Sequence, residues 1–528
     1  MRDAGLRTML LAFLLVASEA RAQVTLQGPE FRVNSYTTYH QRLTQVARTS
    51  NGDFVVVWQS NVGTSYSPDY DVHGQRYASS GSPLGGEFRV NTYTTSLQRH
   101  PAVAIASNGN FIVAWDGFGS GGGTGAFVQR YASSGAPSGG EFRVSSHTAN
   151  SKSYPSIGAD SAGNFVVAWG EGYDQFRTHA MRFASSGAPL GVEFTVPTTA
   201  ATTFSFGRSA VGMSSNGDFV IVFEMSDSSN ASIGYDVFLR RFTSAGTSLT
   251  SDIEVNSYTT GKQNRPSVSV DGAGNFIVVW YDGASQGHIT GQRFNNIGNT
   301  LGTAFRVNSQ TSAVTRDYPS VAADSAGNFV VTWQAFGYPG DENTANVIAR
   351  LFNADGSARG NEFRVNAYSM GGQFRPWVAS DTSGNFVVAW EDQGFDNSQS
   401  GVFAQRSCPN LTGVTINLMS GSTNICPGQT GGTVKVTDNG GGTVGHQWGY
   451  RTSSGGVITS LGGQTGTTYV LNTADALPVG LSYVVCTTIP SFCGAITVSN
   501  EVAVFKGDVT GPSVSAPAGA TVQQTLCQ

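Results

Sequence analysis

The sequence predicts an all-β protein built on a seven-bladed β-propeller followed by a second, smaller β-domain, and three observations carry the propeller. A single phrase, of the form GNFVVAW, occurs seven times, ending at Trp58, Trp115, Trp169, Phe223, Trp280, Trp333 and Trp390. The copies stand 57, 54, 54, 57, 53 and 57 residues apart, a fixed period of the kind that repeat architectures show. Each period carries four short strand signals, and the order of those signals is out of phase with the chain ends. A fourth-strand motif, EFRVN at 30–34, comes before any first strand, and the last copy stops at a third strand, FAQRS at 403–407. The N-terminal strand is therefore expected to complete the last blade and close the ring, which removes an open sheet edge.

The elements follow in chain order. Arg2 and Arg7 precede an apolar segment, Met9 to Ala17, and Ala-Arg-Ala at 20–22 has small-x-small character. This reads as a secretory signal peptide over 1–22, with cleavage near Ala22. The apolar run is too short for a bilayer, which needs about 20 residues, and no later run is longer, so no membrane span is expected in the mature chain. The propeller is placed at 24–407. Its first strands open at Pro101, Pro155, Pro266, Pro319 and Pro376. In the second strand, Phe165, Val167 and Trp169 point to one face and Val166 and Ala168 to the other, so both faces are apolar. Such a strand belongs between two neighbouring blades, and the phrase is scaffold rather than catalytic signature. The glycine that opens it, Gly163 and its six equivalents, ends a tight turn that needs positive φ.

Third strands end in Gln-Arg-Tyr or Gln-Arg-Phe, as at 75–77, 129–131 and 292–294. In the fourth, pairs such as Glu87 and Arg89 or Glu141 and Arg143 share one face, and the third-strand arginine is expected to pair with them. Exposed pairs of this kind contribute about 0–1 kcal/mol each and serve register more than chemistry.

Composition excludes some partners. The chain has 528 residues, 12% charged, with net charge −5 and four lysines, so the clustered cations of a nucleic-acid surface are missing. The connections that vary between copies, fourth-to-first and second-to-third, emerge on one face of the disc. Loops on a rigid ring are where recognition is expected. There the candidate binding residues are Tyr173, Tyr281, Asp116, Glu171, Asp282, Glu391 and Asp392, aromatics and carboxylates suited to a glycan. No catalytic residue, cofactor or metal is assigned, beyond a loose calcium pair, Asp69 and Asp71, in a DYDVHG segment whose twelfth position is serine. GASQG at 283–287 and GFGSGG at 117–122 match nucleophile-elbow and dinucleotide patterns but lack the helices those motifs need.

All five cysteines lie at or after Cys408, where the composition turns to Gly, Thr, Ser and Val. The order Cys426, Trp448, Tyr483, Cys486, with CPGQ, a QW strand and SNEVAV, resembles the Ig-like or PKD-like modules of secreted bacterial surface proteins. The resemblance implies a β-sandwich over 408–507 and a Cys426–Cys486 bridge. Cys408 and Cys493 are further disulfide candidates, and Cys493 competes as a partner. Residues 508–528 resemble the start of a hyalin-repeat-like module or act as a linker. The repeats themselves resemble secreted bacterial propeller proteins of unassigned role, and turns such as DSAGNFVVAW echo those of sialidase-type propellers, which act through an arginine cluster, carboxylates and a tyrosine. The expectation is a secreted or cell-surface protein that binds a glycan or matrix polymer through one propeller face, with the Ig-like part as spacer. The alternative is a hydrolase or lyase acting on extracellular polysaccharide from the same face.

Overall fold

The computed structural model describes residues 24–409 except 64–68, 121, 147, 149, 173–176, 197–207, 226–234, 258–260, 284–286, 311–314, 339–340, 369–370 and 395–399, and, as backbone, a set of strands between 415 and 506. Every regular element among them is a strand, and the first 29 strands form seven antiparallel sheets. These are the blades of a propeller: 41–89, 98–143, 152–195, 209–254, 263–306, 315–364 and, for blade 7, 372–409. Blade 7 also pairs with N-terminal residues, Val24–Leu26 along the Ser407–Pro409 end and Phe31 opposite Ala404.

The repeated phrase occupies the second strand of every blade. Its alternation sorts as the side-chain period requires. Phe165, Val167 and Trp169 pack with Ile112, Ala114 and Val128 of blade 2, while Val166 and Ala168 pack with Ile221 and Phe223 of blade 4. Each core thus lies between two blades, and six tryptophans of the phrase are essentially fully buried. The phrase phenylalanine stacks on the third-strand aromatic opposite it, as in Phe54–Tyr77, Phe111–Tyr131 and Phe165–Phe183 at 4.9, 4.7 and 5.0 Å. A fourth-strand phenylalanine from the preceding blade tilts onto each stack: Phe31 on Tyr77 and Phe88 on Tyr131, both at 5.3 Å, and Phe142 on Phe183 at 5.5 Å. Such pairs add about 0.5–1.5 kcal/mol beyond their burial, so each seam is fastened by the residues that define the repeat. Gly163 and its equivalents all have positive φ, between 81° and 92°.

The third-strand arginines do not pair with the fourth-strand glutamates. Arg130, Arg182 and Arg406 donate to turn carbonyls of the next blade, at Ser185, Ser244 and Ser79, at 2.7, 2.6 and 2.6 Å. The glutamates instead accept backbone N–H groups across a seam: Ser35 to Glu87 at 2.7 Å, Thr92 to Glu141 at 2.6 Å, Ser146 to Glu193 at 2.8 Å. The reason is geometric. Both side chains lie at the blade edge, where orphan backbone groups of a neighbour lie closer than each other's charge.

From Thr415 to Lys506 the backbone forms a three-stranded and a six-stranded sheet, the latter pairing Val444–Arg451 with Gly480–Pro490 so that Trp448 stands opposite Cys486. Cys426, Cys486 and Cys493 lie outside the residues whose side chains are described. No helix among the described residues is long and apolar enough to cross a membrane.

Candidate functional site at the mouth of the central channel

The innermost strand of each blade lines the central channel, and near its start one residue interrupts the ladder. The register shifts fall between Arg42 and Gln45, Arg99 and Ala102, Ser153 and Ser156, Asn264 and Ser267, Asp317 and Ser320, and Phe374 and Trp377. Within each shift sits a non-glycine residue in the left-handed region: Leu43, His100, Tyr154, Arg265, Tyr318 and Arg375, with φ between 49° and 55°. Arg208 holds the matching place in blade 4, just before the strand at Ser209. In five blades the next residue is proline, which bars the right-handed helical conformation to the residue before it.

This ring lines a cavity of about 180 Å³. Below it lie the five prolines, Ser156, Ser209, Ser267 and Trp377. Left-handed backbone costs an ordinary residue about 1–2 kcal/mol, and six blades bear that cost with a bulky side chain where glycine would serve. Replacing Leu43 with glycine is accordingly expected to leave stability within about 1 kcal/mol, whereas Leu43→Val, β-branched in the same conformation, is expected to lose about 1–2 kcal/mol. Urea midpoints read both, and equal losses would refute the strain.

In four blades the residue after the phrase aromatic braces the ring of the next blade. Gln59 accepts the His100 N–H at 3.3 Å, Asp116 that of Tyr154 at 3.2 Å, Glu224 that of Arg265 at 2.6 Å and Gln334 that of Arg375 at 3.1 Å. Glutamine suffices for this bond in two blades, so the fold does not require the charge at Asp116, Glu224 or Glu391. Where a carboxylate stands there, it meets a basic side chain. Asp116 bonds His100 Nδ1 at 2.6 Å, and Glu391 bonds Arg375 at 2.7 Å and pairs with Arg42 at 3.4 Å. Arg265 pairs with Asp317.

Arginines from three blades converge on two phenols. The guanidinium carbons of Arg265, Arg375 and Arg208 lie 4.0, 5.3 and 5.7 Å from the Tyr318 ring centre, and Arg208 lies 4.2 Å from that of Tyr154. Burial pushes the Tyr318 hydroxyl up, but Arg265, a hydrogen bond from Arg375 and the charges of Arg375 and Arg208 outweigh it, so its pKa falls below the usual phenol value. Burial pushes Glu224 up to about 7 against the opposing pull of the Arg265 N–H, Arg208 and Arg265.

The structure brings two of the sequence-selected residues, Asp116 and Glu391, to this mouth, both buried. Glu171 and Asp392 are buried in strands, the first paired with Lys152 at 3.2 Å and the second accepting from Gln373 at 3.2 Å. Tyr281 packs against the core between blades 5 and 6, and Asp282 accepts from Thr290 at 3.5 Å. Tyr173 lies outside the described residues. Of the calcium pair, Asp71 accepts from Asn91 at 2.6 Å and faces Arg89 at 3.8 Å, while burial and Asp71 raise the pKa of Asp69. A group able to offer a metal three ligands, Glu171, His179 and Glu193, has its donor atoms within 4.8 Å of one another. There Lys152 already faces Glu171, and His179 bonds Glu193 at 2.9 Å. Apart from Arg208, an arginine that departs from the repeat pattern, the ring residues went unnoticed in the sequence, although a signal was present: five blades carry a variable residue immediately before the repeated proline.

No family model matches the chain, and no curated protein matches its sequence. Solved structures align with it at low identity. A protein of unknown function from Dyadobacter fermentans DSM 18053 is 11% identical over 74% of this chain and all of its own, with a TM-score of 0.45. An ulvan lyase, bound to a -[GlcA(1-4)Rha3S]- saccharide, is 11% identical over 72% of this chain and 95% of its own, at 0.47. An α-L-arabinanase from Penicillium chrysogenum complexed with arabinobiose is 11% identical over 71% and 98%, at 0.38. At such identities the likeness concerns the fold, and the site has to be read from its own residues.

Proposed function

We propose that this protein is an extracellular recognition protein that grips a glycan or matrix polymer at the mouth of the propeller channel. The observation that supports this reading most directly is the ring of bulky residues held in left-handed backbone around a concave, proline-floored cavity. Strain of this kind persists where the side chain is needed, and a cavity with apolar walls and a few convergent polar groups is the usual form of a ligand site. In this reading the chain is secreted after cleavage near Ala22, and Val24 to Asn34 close the ring on blade 7. A disulfide-bonded Ig-like module from Cys408 onward serves as the spacer.

The test is a glycan array probed with the full chain and with a Tyr154→Ala/Trp377→Ala double variant. Binding by the parent that falls at least tenfold in the variant, with an unchanged circular dichroism spectrum, is the expected result. Equal binding by both would move the site elsewhere. A second reading, a hydrolase or lyase, draws on the pair of groups whose pKa values are shifted toward neutrality, Glu224 and Tyr318, as acid–base chemistry requires. New reducing ends or unsaturated sugar ends released from a bound polymer would favour it, and intact polymer after prolonged incubation would exclude it for that polymer.

A further inference from the structure

Resting on the recognition reading, we infer that the channel mouth takes an anionic sugar, whose carboxylate or sulfate is received by the guanidinium groups of Arg208, Arg265 and Arg375. The first support is the charge inventory. Arg375 is committed to Glu391, Arg265 to Asp317 and His100 to Asp116. Arg208 has stacking contacts with Tyr154 and Tyr318 and, among the described residues, no ion pair. The repeat explains why. In blades 2 and 7 the acid after the tryptophan bonds the ring residue of its own blade, whereas its blade 4 counterpart, Glu224, accepts the Arg265 N–H and makes no ion pair with Arg208 among the described residues. One guanidinium at a concave site thus has no ion pair among the described residues, and a low-dielectric cleft focuses its field.

The second support is the crowding of like charges. Three guanidiniums gather within 6 Å of one phenol ring. Arg208 and Arg375 both pull down the pKa of Arg265, in addition to its burial. An incoming anion relieves this repulsion. Guanidinium forks match carboxylate and sulfate oxygens in pairs of parallel hydrogen bonds, which a lysine cluster would not.

A purely structural role for the cluster is the competing explanation, and the other blades argue against it. Leu43 holds the same backbone conformation at the same place in blade 1 with no charge at all. The ring therefore does not need cations in order to form. The cavity, of about 180 Å³, is the size of a single sugar ring rather than of a protein element. Trp377 gives it an aromatic wall against which a pyranose can lie.

Calorimetric titration of the full chain tests this with oligogalacturonate, chondroitin sulfate and heparin oligosaccharides, each beside its carboxyl-reduced and its desulfated form where these exist. The expected result is binding of at least one acidic form and a loss of tenfold or more when its acid group is removed. Which removal abolishes binding identifies carboxylate or sulfate. Arg208→Gln should lose tenfold or more in affinity with an unchanged circular dichroism spectrum, and Arg89→Gln, on the outermost strand of blade 1, should bind as the parent does. If neutral and acidic forms bind alike and Arg208→Gln is silent, the anion assignment is overturned while recognition at the mouth stands. If neither these oligosaccharides nor any glycan on the array binds, both are overturned.

Discussion

Asp381→Asn is expected to lower the stability of the propeller by about 3–5 kcal/mol, several times the effect of the same substitution at Asp160. Both aspartates head the same turn. Asp160 accepts from Ala162 N–H and Asn164 N–H at 2.9 and 2.8 Å, and Asp381 from Ser383 N–H and Asn385 N–H, both at 3.0 Å. Asparagine keeps an oxygen for those donors, so at Asp160 the expected loss is that of weakened hydrogen bonds, about 1 kcal/mol. Asp381 carries an additional partner: Arg48 of blade 1 at 3.2 Å, with side chains 1% and 0% exposed. The registers show what is special about Arg48. Opposite the phrase phenylalanine stand Ile105, Ala159, Met213, Val270, Ala323 and Ser380 in the other blades, and an arginine in blade 1 alone.

Removing the carboxylate leaves that guanidinium buried without its counter-charge. Burial already lowers its pKa, and Asp381 is the main opposing influence. Arg48→Met should cost less, since the aspartate keeps its turn donors and the methionine fills an apolar site. The double variant should recover most of the loss, as buried pairs replaced together by apolar groups often do. A double-mutant cycle from guanidinium midpoints measures this, and Asp381→Asn matching Asp160→Asn would show that the pair contributes nothing.

Blade number and the two-faced burial of the second strand were legible in the sequence because they depend on period and alternation, which seven copies repeat. The partners of the edge charges were not. Glu87 and Arg89 look like a local pair, but whether a charge meets its sheet neighbour or an orphan N–H across a seam depends on the distance between blades, which no single unit encodes. The site was partly legible for the same reason. Asp116 and Glu391 were candidates as carboxylates of the variable loop face, and both bond residues of the ring at the channel mouth. Arg265, Tyr318 and Arg375 are spread over three consecutive blades, 53 and 57 residues apart, and only the packing of blade on blade makes them neighbours. Their mark in the sequence is variation in front of a repeated proline. That mark becomes informative once the register shift is seen to turn that residue inward.

The repeat also acts as an internal control for Glu224, whose substitution by glutamine is expected to stabilise the protein above pH 7 and to change little below pH 4.5. Glu224 is 2% exposed, and burial lifts its pKa from the ordinary 4.5 to about 7. A carboxyl whose folded pKa is raised holds its proton more tightly in the folded state. Its contribution is therefore fully present below the unfolded value and is lost as pH rises through the folded one. At about 1.4 kcal/mol for each pH unit between the two values, the charged form costs roughly 3 kcal/mol by pH 8. Gln59 and Gln334 make the same bond to the next blade without a charge, so glutamine at 224 keeps the Arg265 N–H satisfied at every pH.

Urea midpoints of parent and Glu224→Gln should coincide near pH 4.5 and diverge toward pH 8, with the variant higher. A constant difference across that range would mean that the carboxyl does not titrate there. The same group faces Arg208 and Arg265, and burial together with its charge raises the pKa of Tyr235. Ionisation of Glu224 therefore places an internal anion beside Arg208. Affinity for an acidic oligosaccharide should fall as pH rises through 7 in the parent and stay level in Glu224→Gln. Stability and anion affinity would then change over one pH window, both set by a carboxylate that the fold could have replaced by glutamine.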